Sequence, residues 1–169
     1  MMKKNNSLKR KIIKIGDIFK TLEKGEVQYA VVGGVAVVLY GYVRFTKDID
    51  LIIDFSKNNV KKFLKAISSL NFQPGVPIDP LDLANPQKRN KWFKEKNAQV
   101  ITFYNPDEPF LQIDILITKE LSQIKTEKKK IDDLEIIIIS YNDLIKMKKE
   151  SGLSVDLMDI ERLEELKGL

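Results

Sequence analysis

The sequence predicts a single α/β domain. Segments whose apolar residues recur at the spacing of one helix face alternate along the chain with short continuous apolar runs, which are typical of buried strands. The chain has 169 residues, of which 43% are hydrophobic, and this is enough for one hydrophobic core. No internal repeat, low-complexity tract or linker divides the sequence. We therefore interpret residues 1–169 as one domain whose C-terminal helices begin at about residue 142.

The first part of the chain predicts helices and strands in alternation. Helical spacing of isoleucines predicts a first helix over about residues 8–24, and the apolar run that follows predicts a central strand over 29–32. A short buried helix is expected over about 35–40, and a second strand over about 47–53. Ser56 is the expected N-cap of the next helix.

The second part of the chain begins with a predicted long loop over about residues 73–85, because prolines and a glycine interrupt it. A polar segment over about 86–95 predicts a helix. Apolar runs predict strands over about 98–103, 110–117 and 134–140. The lysine run at 128–130 is interpreted as an exposed turn. Two helices over about 142–150 and 154–166 end the chain, the second with Ser154 as its expected N-cap.

The composition excludes several kinds of chemistry. The chain contains no cysteine and no histidine, so disulfides, thiolate nucleophiles, imidazole bases and the usual zinc ligand sets are absent. Carboxylates must carry any acid–base or metal chemistry. The net charge of +5 suits a nucleotide or nucleic acid, but scattered lysines are also common on surfaces without such a partner. No apolar run is long enough for a membrane span and no signal peptide is evident, so we expect a soluble cytoplasmic protein without a membrane partner.

Two aspartates lie close together in the predicted strand "KDIDLII". Alternation along a strand places Asp48 and Asp50 on one face and the flanking Ile49 and Leu51 on the other. Two carboxylates on one face repel each other unless a positive group lies between them. Their spacing along the strand, about 7 Å between Cα atoms, suits Mg²⁺. A bound divalent cation is therefore the first hypothesis for this pair.

A third aspartate occurs in the predicted strand "FLQIDILI". Asp114 lies on the face opposite Ile113 and Ile115, and an acid among apolar neighbours is costly unless it is paired or binds a metal. If this strand lies beside that of Asp48 and Asp50, three aspartates meet on one face of the sheet. Such a set can hold two divalent ions that align an attacking hydroxyl with a triphosphate. The three aspartates therefore indicate nucleotidyl transfer.

Two glycines follow the first predicted strand. Gly33 and Gly34 allow the backbone to approach a ligand closely, and the start of the next helix presents free N–H groups to a phosphate. The pair lacks the further residues of a dinucleotide fingerprint or a P-loop. Tight packing between strand and helix is the alternative explanation for the two glycines.

These residues together resemble the DNA polymerase β-type nucleotidyltransferase superfamily. Within it, the chain is most similar to AbiEii-type toxins and related nucleotidyltransferase-like proteins. The likeness is strongest over residues 29–54, extends to 110–117, and is weaker over 141–148 and 155–163. The residues that carry it are Gly33, Gly34, Arg44, Thr46, Asp48, Ile49, Asp50, Leu51 and Asp114, with Lys148, Asp156 and Asp159 matching in the weaker segments. Many members have a serine where this chain has Val35, which leaves only backbone donors for phosphate at that position.

The resemblance implies a fold, cofactors and roles. The fold is the nucleotidyltransferase fold, a mixed central sheet flanked by helices. Asp48, Asp50 and Asp114 would hold Mg²⁺ or Mn²⁺, Asp114 would also help to deprotonate the acceptor, and Gly33 with Gly34 would cradle the triphosphate of an NTP. Arg44 would either balance phosphate charge or brace its loop against an acid. Lys148 would either contact the nucleotide or be a solvated helix lysine.

The implied function is metal-dependent transfer of a nucleoside monophosphate from an NTP to a hydroxyl. RNA such as tRNA, a protein and a small molecule are the candidate acceptors. The resemblance to toxins adds a cognate antitoxin or another operon partner as a candidate binding partner. The alternative function is a catalytically inactive module that binds a nucleotide or an operon partner.

Overall fold

The computed structural model describes residues 15–169. The α-helices are α1 (Ile15–Lys24), α2 (Gly33–Leu39), α3 (Lys57–Ser69), α4 (Pro86–Lys96), α5 (Tyr141–Ser151) and α6 (Ser154–Lys167). The strands are β1 (Tyr29–Val32), β2 (Asp48–Ile53), β3 (Gln73–Pro74), β4 (Val100–Asn105), β5 (Glu108–Leu116), β6 (Thr126–Ile131) and β7 (Leu134–Ile139). Short 3-10 helices occupy Pro80–Ala84 and Leu121–Gln123.

The strands form one mixed sheet in the order β3-β4-β5-β2-β1-β7-β6. β2 runs parallel to β5 and β1 runs parallel to β7, whereas the other neighbours are antiparallel. The predicted α/β fold with a mixed sheet flanked by helices is confirmed. The strand order also places the strand of Asp48 and Asp50 directly beside the strand of Asp114.

Part of the hydrophobic core covers the face of the sheet opposite these aspartates. Ile49, Ile113 and Phe103 lie side by side across β2, β5 and β4, and all three are almost fully buried. Phe63 of α3 packs edge-to-face against Phe103, with ring centroids 5.6 Å apart. Helix α3 therefore covers this face and leaves the aspartates on the other one.

Most helix predictions agree with the structure, and the differences lie at the helix ends. Ser56 is the N-cap of α3, since its side chain accepts a hydrogen bond from the backbone N–H of Asn59. Helix α5 begins before residue 142, because Ser140 caps it. The prediction that Ser154 caps the last helix is wrong: Leu153 is the N-cap and Ser154 is already helical. The Leu153 carbonyl already accepts a helical hydrogen bond of 3.0 Å from the backbone N–H of Leu157, so the helix begins one residue earlier than predicted.

Two loop predictions are also wrong. Residues 128–130 lie within β6, which pairs with β7 at the edge of the sheet formed by residues 15–169. Every residue of β6 is exposed, so the strand has no buried face for the sequence to signal, and lysines are common on such edges. The predicted loop 73–85 contains β3, which pairs with β4, and a 3-10 helix.

The first predicted helix is described from Ile15 onward, and its residues 8–14 lie outside the described part of the chain. Among the helices of residues 15–169, none has the length and apolar character that crossing a bilayer requires.

Candidate active site

Three aspartates lie together at the β2–β5 pair. The parallel register sets Asp50 beside Asp114 and sets Asp48 beside Gln112. Because side chains alternate along a strand and register partners share a face, all three carboxylates project from the same face of the sheet. The predicted grouping depended on the strand of Asp114 lying beside that of Asp48 and Asp50, and β5 and β2 are neighbours in the sheet.

The electrostatics of the group reflect burial and mutual repulsion. Burial, followed by the charges of Asp114 and Asp48, raises the pKa of Asp50 to about 7 against the opposing effect of Lys148 and Arg44. Burial and the charge of Asp48 also raise the pKa of Asp114. The Thr102 hydroxyl opposes that shift by donating a hydrogen bond of 2.6 Å to Asp114 Oδ1. Bringing the carboxylates together therefore costs free energy that a cation would offset.

The carboxylates are chemically suited to a divalent cation, but they are not arranged as a complete set of metal ligands. Asp48 Oδ1 is buried and has no hydrogen-bond partner in the described part of the chain. A buried oxygen without a partner is costly, and hard carboxylate oxygens are the ligands that Mg²⁺ prefers. However, no three metal-binding side chains within residues 15–169 are grouped so that they could hold an ion as they stand. The assignment of Asp48, Asp50 and Asp114 as metal ligands stays a prediction.

The two glycines lie directly against this group. Gly33 has φ of +64°, and a Cβ atom at this position would come within 2.2 Å of Asp50 Oδ2. A Cβ atom at Gly34 would come within 2.5 Å of Thr46 Oγ1 and 3.2 Å of Arg44 Nη2. Both positions therefore require glycine for contacts within the chain. This observation favours the packing explanation and also places the Gly33 backbone beside Asp50, where the phosphate cradle was predicted.

A network of four charged side chains, three of them buried, lies next to Gly34. Arg44 donates two hydrogen bonds to Asp159, Nε to Oδ1 at 2.7 Å and Nη2 to Oδ2 at 2.8 Å. Lys148 Nζ lies 2.9 Å from Asp159 Oδ2 and 2.7 Å from Asp156 Oδ1. Ser151 donates a hydrogen bond of 2.6 Å to Asp156 Oδ2. Burial alone would raise the pKa of Asp156, but the hydrogen bonds from Lys148 and Ser151 hold it below its ordinary value.

The network bears on the two interpretations that the sequence left open for each of Arg44 and Lys148. Arg44 braces the loop between α2 and β2 against an acid, Asp159, as one of its two interpretations predicted. Lys148 is not a solvated helix lysine, because its side chain is only 6% exposed and pairs with two carboxylates. Nucleotide contacts of Arg44 and Lys148 stay predictions.

A cleft of about 500 Å³ extends from Asp50 to Lys148 and Asp156 of the network. Gly33 and Asp50 line one end of it, and Lys148 and Asp156 line its α5–α6 side. Its other lining residues include Gln99, Val100, Leu116, Thr118 and the ion-paired Lys119 and Glu150. A volume of this size is within the range of small-ligand sites, about 300–1,000 Å³.

Sequence reasoning missed Thr102 and Ser151, although both bind carboxylates of the site. Thr102 lies in a predicted strand, but nothing in the sequence sets the register between β4 and β5 that brings it opposite Asp114. Ser151 ends α5 only five residues before Asp156, and a polar residue at such a tight helix–helix turn is a weak signal.

The structure is similar to solved nucleotidyltransferases. It matches the lincosamide antibiotic adenylyltransferase LnuA, solved with lincomycin bound, at a TM-score of 0.59 and 17% identity over 90% of this chain and 97% of that one. It matches the antibiotic-resistance factor ANT(2'')-Ia at a TM-score of 0.58 and 12% identity, covering 88% and 79% of the two chains.

An antigenic nucleotidyltransferase-like protein from Paracoccidioides brasiliensis matches at a TM-score of 0.56 and 16% identity, covering 90% of this chain and 74% of that one. No family model matches the sequence, and no curated protein matches it. The chain therefore has a nucleotidyltransferase fold, as the polymerase β-type resemblance implied, while the AbiEii-type likeness stays a prediction.

Proposed function

We propose that the protein is a metal-dependent nucleotidyltransferase that moves a nucleoside monophosphate from an NTP to a hydroxyl. The observation that carries the proposal is the placement of Asp50 beside Asp114, with Asp48 two residues away on the same face and a cleft adjoining Asp50. The fold is shared with an enzyme named for this chemistry, the lincosamide antibiotic adenylyltransferase, and with an antibiotic-resistance factor. At identities below 20% that likeness supports the proposal only through the fold.

The charges of the site explain why a divalent cation is needed. Arg44 and Lys148 already pair with Asp156 and Asp159, and within residues 15–169 no ion pair involves Asp48, Asp50 or Asp114. A triphosphate would therefore meet a negative surface. Divalent ions held by these three aspartates would supply the positive charge that screens the phosphates and polarises the acceptor hydroxyl. Holding the ions would require the carboxylates to turn toward them, since they form no cage beforehand.

The side chains of the protein have separate roles in the proposed reaction. The acceptor oxygen forms a bond to the α-phosphorus while the bond from that phosphorus to the bridging oxygen breaks, and pyrophosphate leaves. Asp114 takes the proton of the acceptor hydroxyl, a role that its raised pKa suits. The Gly33 backbone, close to Asp50, lies where the triphosphate would bind. Lys148, which lines the cleft, would contact a phosphate from the α5 side.

Labelled nucleotides test this proposal. The protein is incubated with each NTP, labelled at the α- or the γ-phosphate, and with pools of tRNA, protein and aminoglycoside, in Mg²⁺ or in EDTA. We expect the α-label, and not the γ-label, to enter one pool in Mg²⁺ only. Transfer of the γ-label instead would indicate phosphoryl transfer. Mass spectrometry of the labelled pool identifies the acceptor.

Asp114→Ala separates binding from chemistry in the same assay. We expect NTP affinity to be mostly kept and the transfer rate to fall by about 10²- to 10⁴-fold, the usual contribution of a general base. Asp133→Ala is the matched control, because Asp133 is exposed at the β6–β7 turn. Equal rates for Asp114→Ala and the wild type would remove the catalytic role of Asp114.

An inactive binding module is the second candidate function. Two observations favour it: the aspartates are not arranged as a ready metal site, and the two lysines that line the cleft, Lys119 and Lys148, are paired within the chain. On this alternative the wild type would bind an NTP or an operon partner, such as a cognate antitoxin, and would label no acceptor. The unpartnered oxygen of Asp48 favours the enzyme, because an inactive module has no need of a costly buried oxygen.

A further inference from the structure

One side chain of the neighbouring strand β4 binds the Asp114 carboxylate. Thr102 of β4 lies directly opposite Asp114 of β5 in the antiparallel register. Its hydroxyl donates a hydrogen bond of 2.6 Å to Asp114 Oδ1, a length typical of a strong hydroxyl–carboxylate bond. The contact lies on the side of Asp114 away from Asp50, because β5 separates β4 from β2 in the sheet.

The geometry makes this bond directional. Threonine is branched at Cβ and therefore has few χ1 rotamers, so its hydroxyl presents a fixed donor rather than a mobile one. A carboxylate with one oxygen bound to such a donor has one orientation about its Cβ–Cγ bond, and its second oxygen is left for other partners. Without Thr102, nothing that the described structure records as a hydrogen bond would fix the Asp114 carboxylate.

We propose that Thr102 is a positioning residue, which holds Asp114 Oδ1 toward β4 so that Oδ2 is the oxygen that receives the acceptor proton. This inference rests on the proposed nucleotidyl transfer, in which that proton leaves the acceptor hydroxyl as its oxygen bonds to the α-phosphorus. Thr102 itself touches neither nucleotide nor acceptor and acts through Asp114. The sheet needs no such bond for its own stability, because backbone pairing already joins β4 and β5 on both sides of this position.

Three variants test the role. Thr102→Val keeps the branched shape and removes the hydroxyl, and Thr102→Ser restores a hydroxyl. Tyr104→Phe is the matched control: it removes another hydroxyl from β4, one that bonds Gln73 at 3.3 Å and does not reach Asp114. Each variant is first checked for an unchanged melting temperature.

The expected result is a separation of kcat from nucleotide binding. Thr102→Val should lower kcat by about 10- to 100-fold, as loss of a second partner of a catalytic group typically does, and should leave the NTP dissociation constant within about twofold. Thr102→Ser should recover most of kcat, and Tyr104→Phe should match the wild type. Unchanged kcat in Thr102→Val, or loss of kcat in Thr102→Ser equal to that in Thr102→Val, would overturn the proposal.

Crystal structures of the wild type and of Thr102→Val provide a readout that does not depend on turnover. We expect Asp114 Oδ1 to stay on the β4 side in the wild type and the carboxylate to rotate in Thr102→Val. If the wild type transfers nothing and the carboxylate still rotates, the proposed function fails while the positioning contact stands. If the carboxylate keeps its orientation without the hydroxyl, the positioning role is wrong whether or not the protein is an enzyme.

Discussion

Asp50 lies in an electrostatically unfavourable position. It lies beside Asp114, two residues from Asp48, and against the backbone of Gly33. Burial is the largest cause of its raised pKa, and the two neighbouring acids add to it. A position of this kind stabilises a fold poorly, and such positions are often functional.

The first prediction concerns the pH dependence of stability in EDTA. Asp50 has a pKa of about 7 in the folded protein and 3.8 as its ordinary value, so between these values the folded state holds a proton that the unfolded state has lost. Stability from this group therefore falls as pH rises from about 4 to 7 and stays low above 7. Asp50→Asn should be more stable than the wild type at pH 8, by up to about 4 kcal/mol, and equal near pH 4.

Urea unfolding of both proteins at a series of pH values measures this difference. Adding Mg²⁺ at pH 8 should stabilise the wild type more than Asp50→Asn, because the cation would relieve the same repulsion. Parallel pH profiles for the two proteins in EDTA would show that Asp50 is not held in a costly state.

The second prediction concerns the backbone at Gly33. Gly33→Ala must place a Cβ atom 2.2 Å from Asp50 Oδ2 and keep a positive φ of 64°. We expect a loss of about 1–3 kcal/mol in the free energy of unfolding, typical of a strained left-handed residue, together with weaker Mg²⁺·NTP binding as Asp50 is displaced. Gly16→Ala in α1 is the control, since a Cβ atom there meets nothing within 4 Å.

Calorimetric titration of Mg²⁺·NTP and urea unfolding measure the two effects separately. A folded Gly33→Ala protein that binds nucleotide like the wild type would remove Gly33 from the proposed phosphate site. A variant that fails to fold would support the packing explanation alone.

At the scale of elements, ion pairs join the C-terminal helices α5 and α6 to the loop between α2 and β2. Asp159 of α6 is fully buried and accepts hydrogen bonds from Arg44 of the loop before β2. Lys148 of α5 contacts the same carboxylate. One side chain thus connects the two consecutive helices α5 and α6 to a loop that is distant from them in sequence. The hydrophobic residues of α6 alone would not determine the position of this loop.

The third prediction follows from that connection. Asp159→Ala leaves Arg44 and Lys148 with less compensation in a buried environment, so we expect the free energy of unfolding to fall by about 3–5 kcal/mol. Lys128→Ala removes an exposed ion pair with Glu135 and should cost at most about 1 kcal/mol. Urea unfolding of both variants gives the comparison. Similar small losses would mean that the buried network does not join these segments.

Elements differ in how far the sequence predicts them, and the reason is physical. β2 and β5 alternate apolar residues with acids, so their faces and the three aspartates could be identified directly. β6 is exposed on both faces and carries three successive lysines, so no periodicity marks it as a strand. The partners of Lys148 lie on another helix, and the side-chain contacts between helices depend on packing that no local pattern encodes.

At the scale of the whole molecule, the mixed sheet creates the candidate site. The parallel pairing of β2 with β5 brings together acids that are 64 residues apart in sequence, Asp50 and Asp114. The resemblance in sequence implied this fold, and the solved structures at TM-scores of 0.56 to 0.59 share it. The register of β4, the cleft and the position of Thr102 could not be predicted, because each depends on the completed sheet.

A calorimetric titration of Mg²⁺ with a non-hydrolysable NTP tests the proposed metal–nucleotide site most directly. It is carried out on four proteins: the wild type, Asp48→Asn, Asp50→Asn and Asp114→Ala. It needs no knowledge of the acceptor. We predict that the wild type and Asp114→Ala bind the complex with similar affinity, because the other ion and the backbone would hold the nucleotide. Asp48→Asn and Asp50→Asn should lose metal-dependent binding while remaining folded. Unchanged affinity in both asparagine variants would contradict the assignment of the metal–nucleotide site to these aspartates.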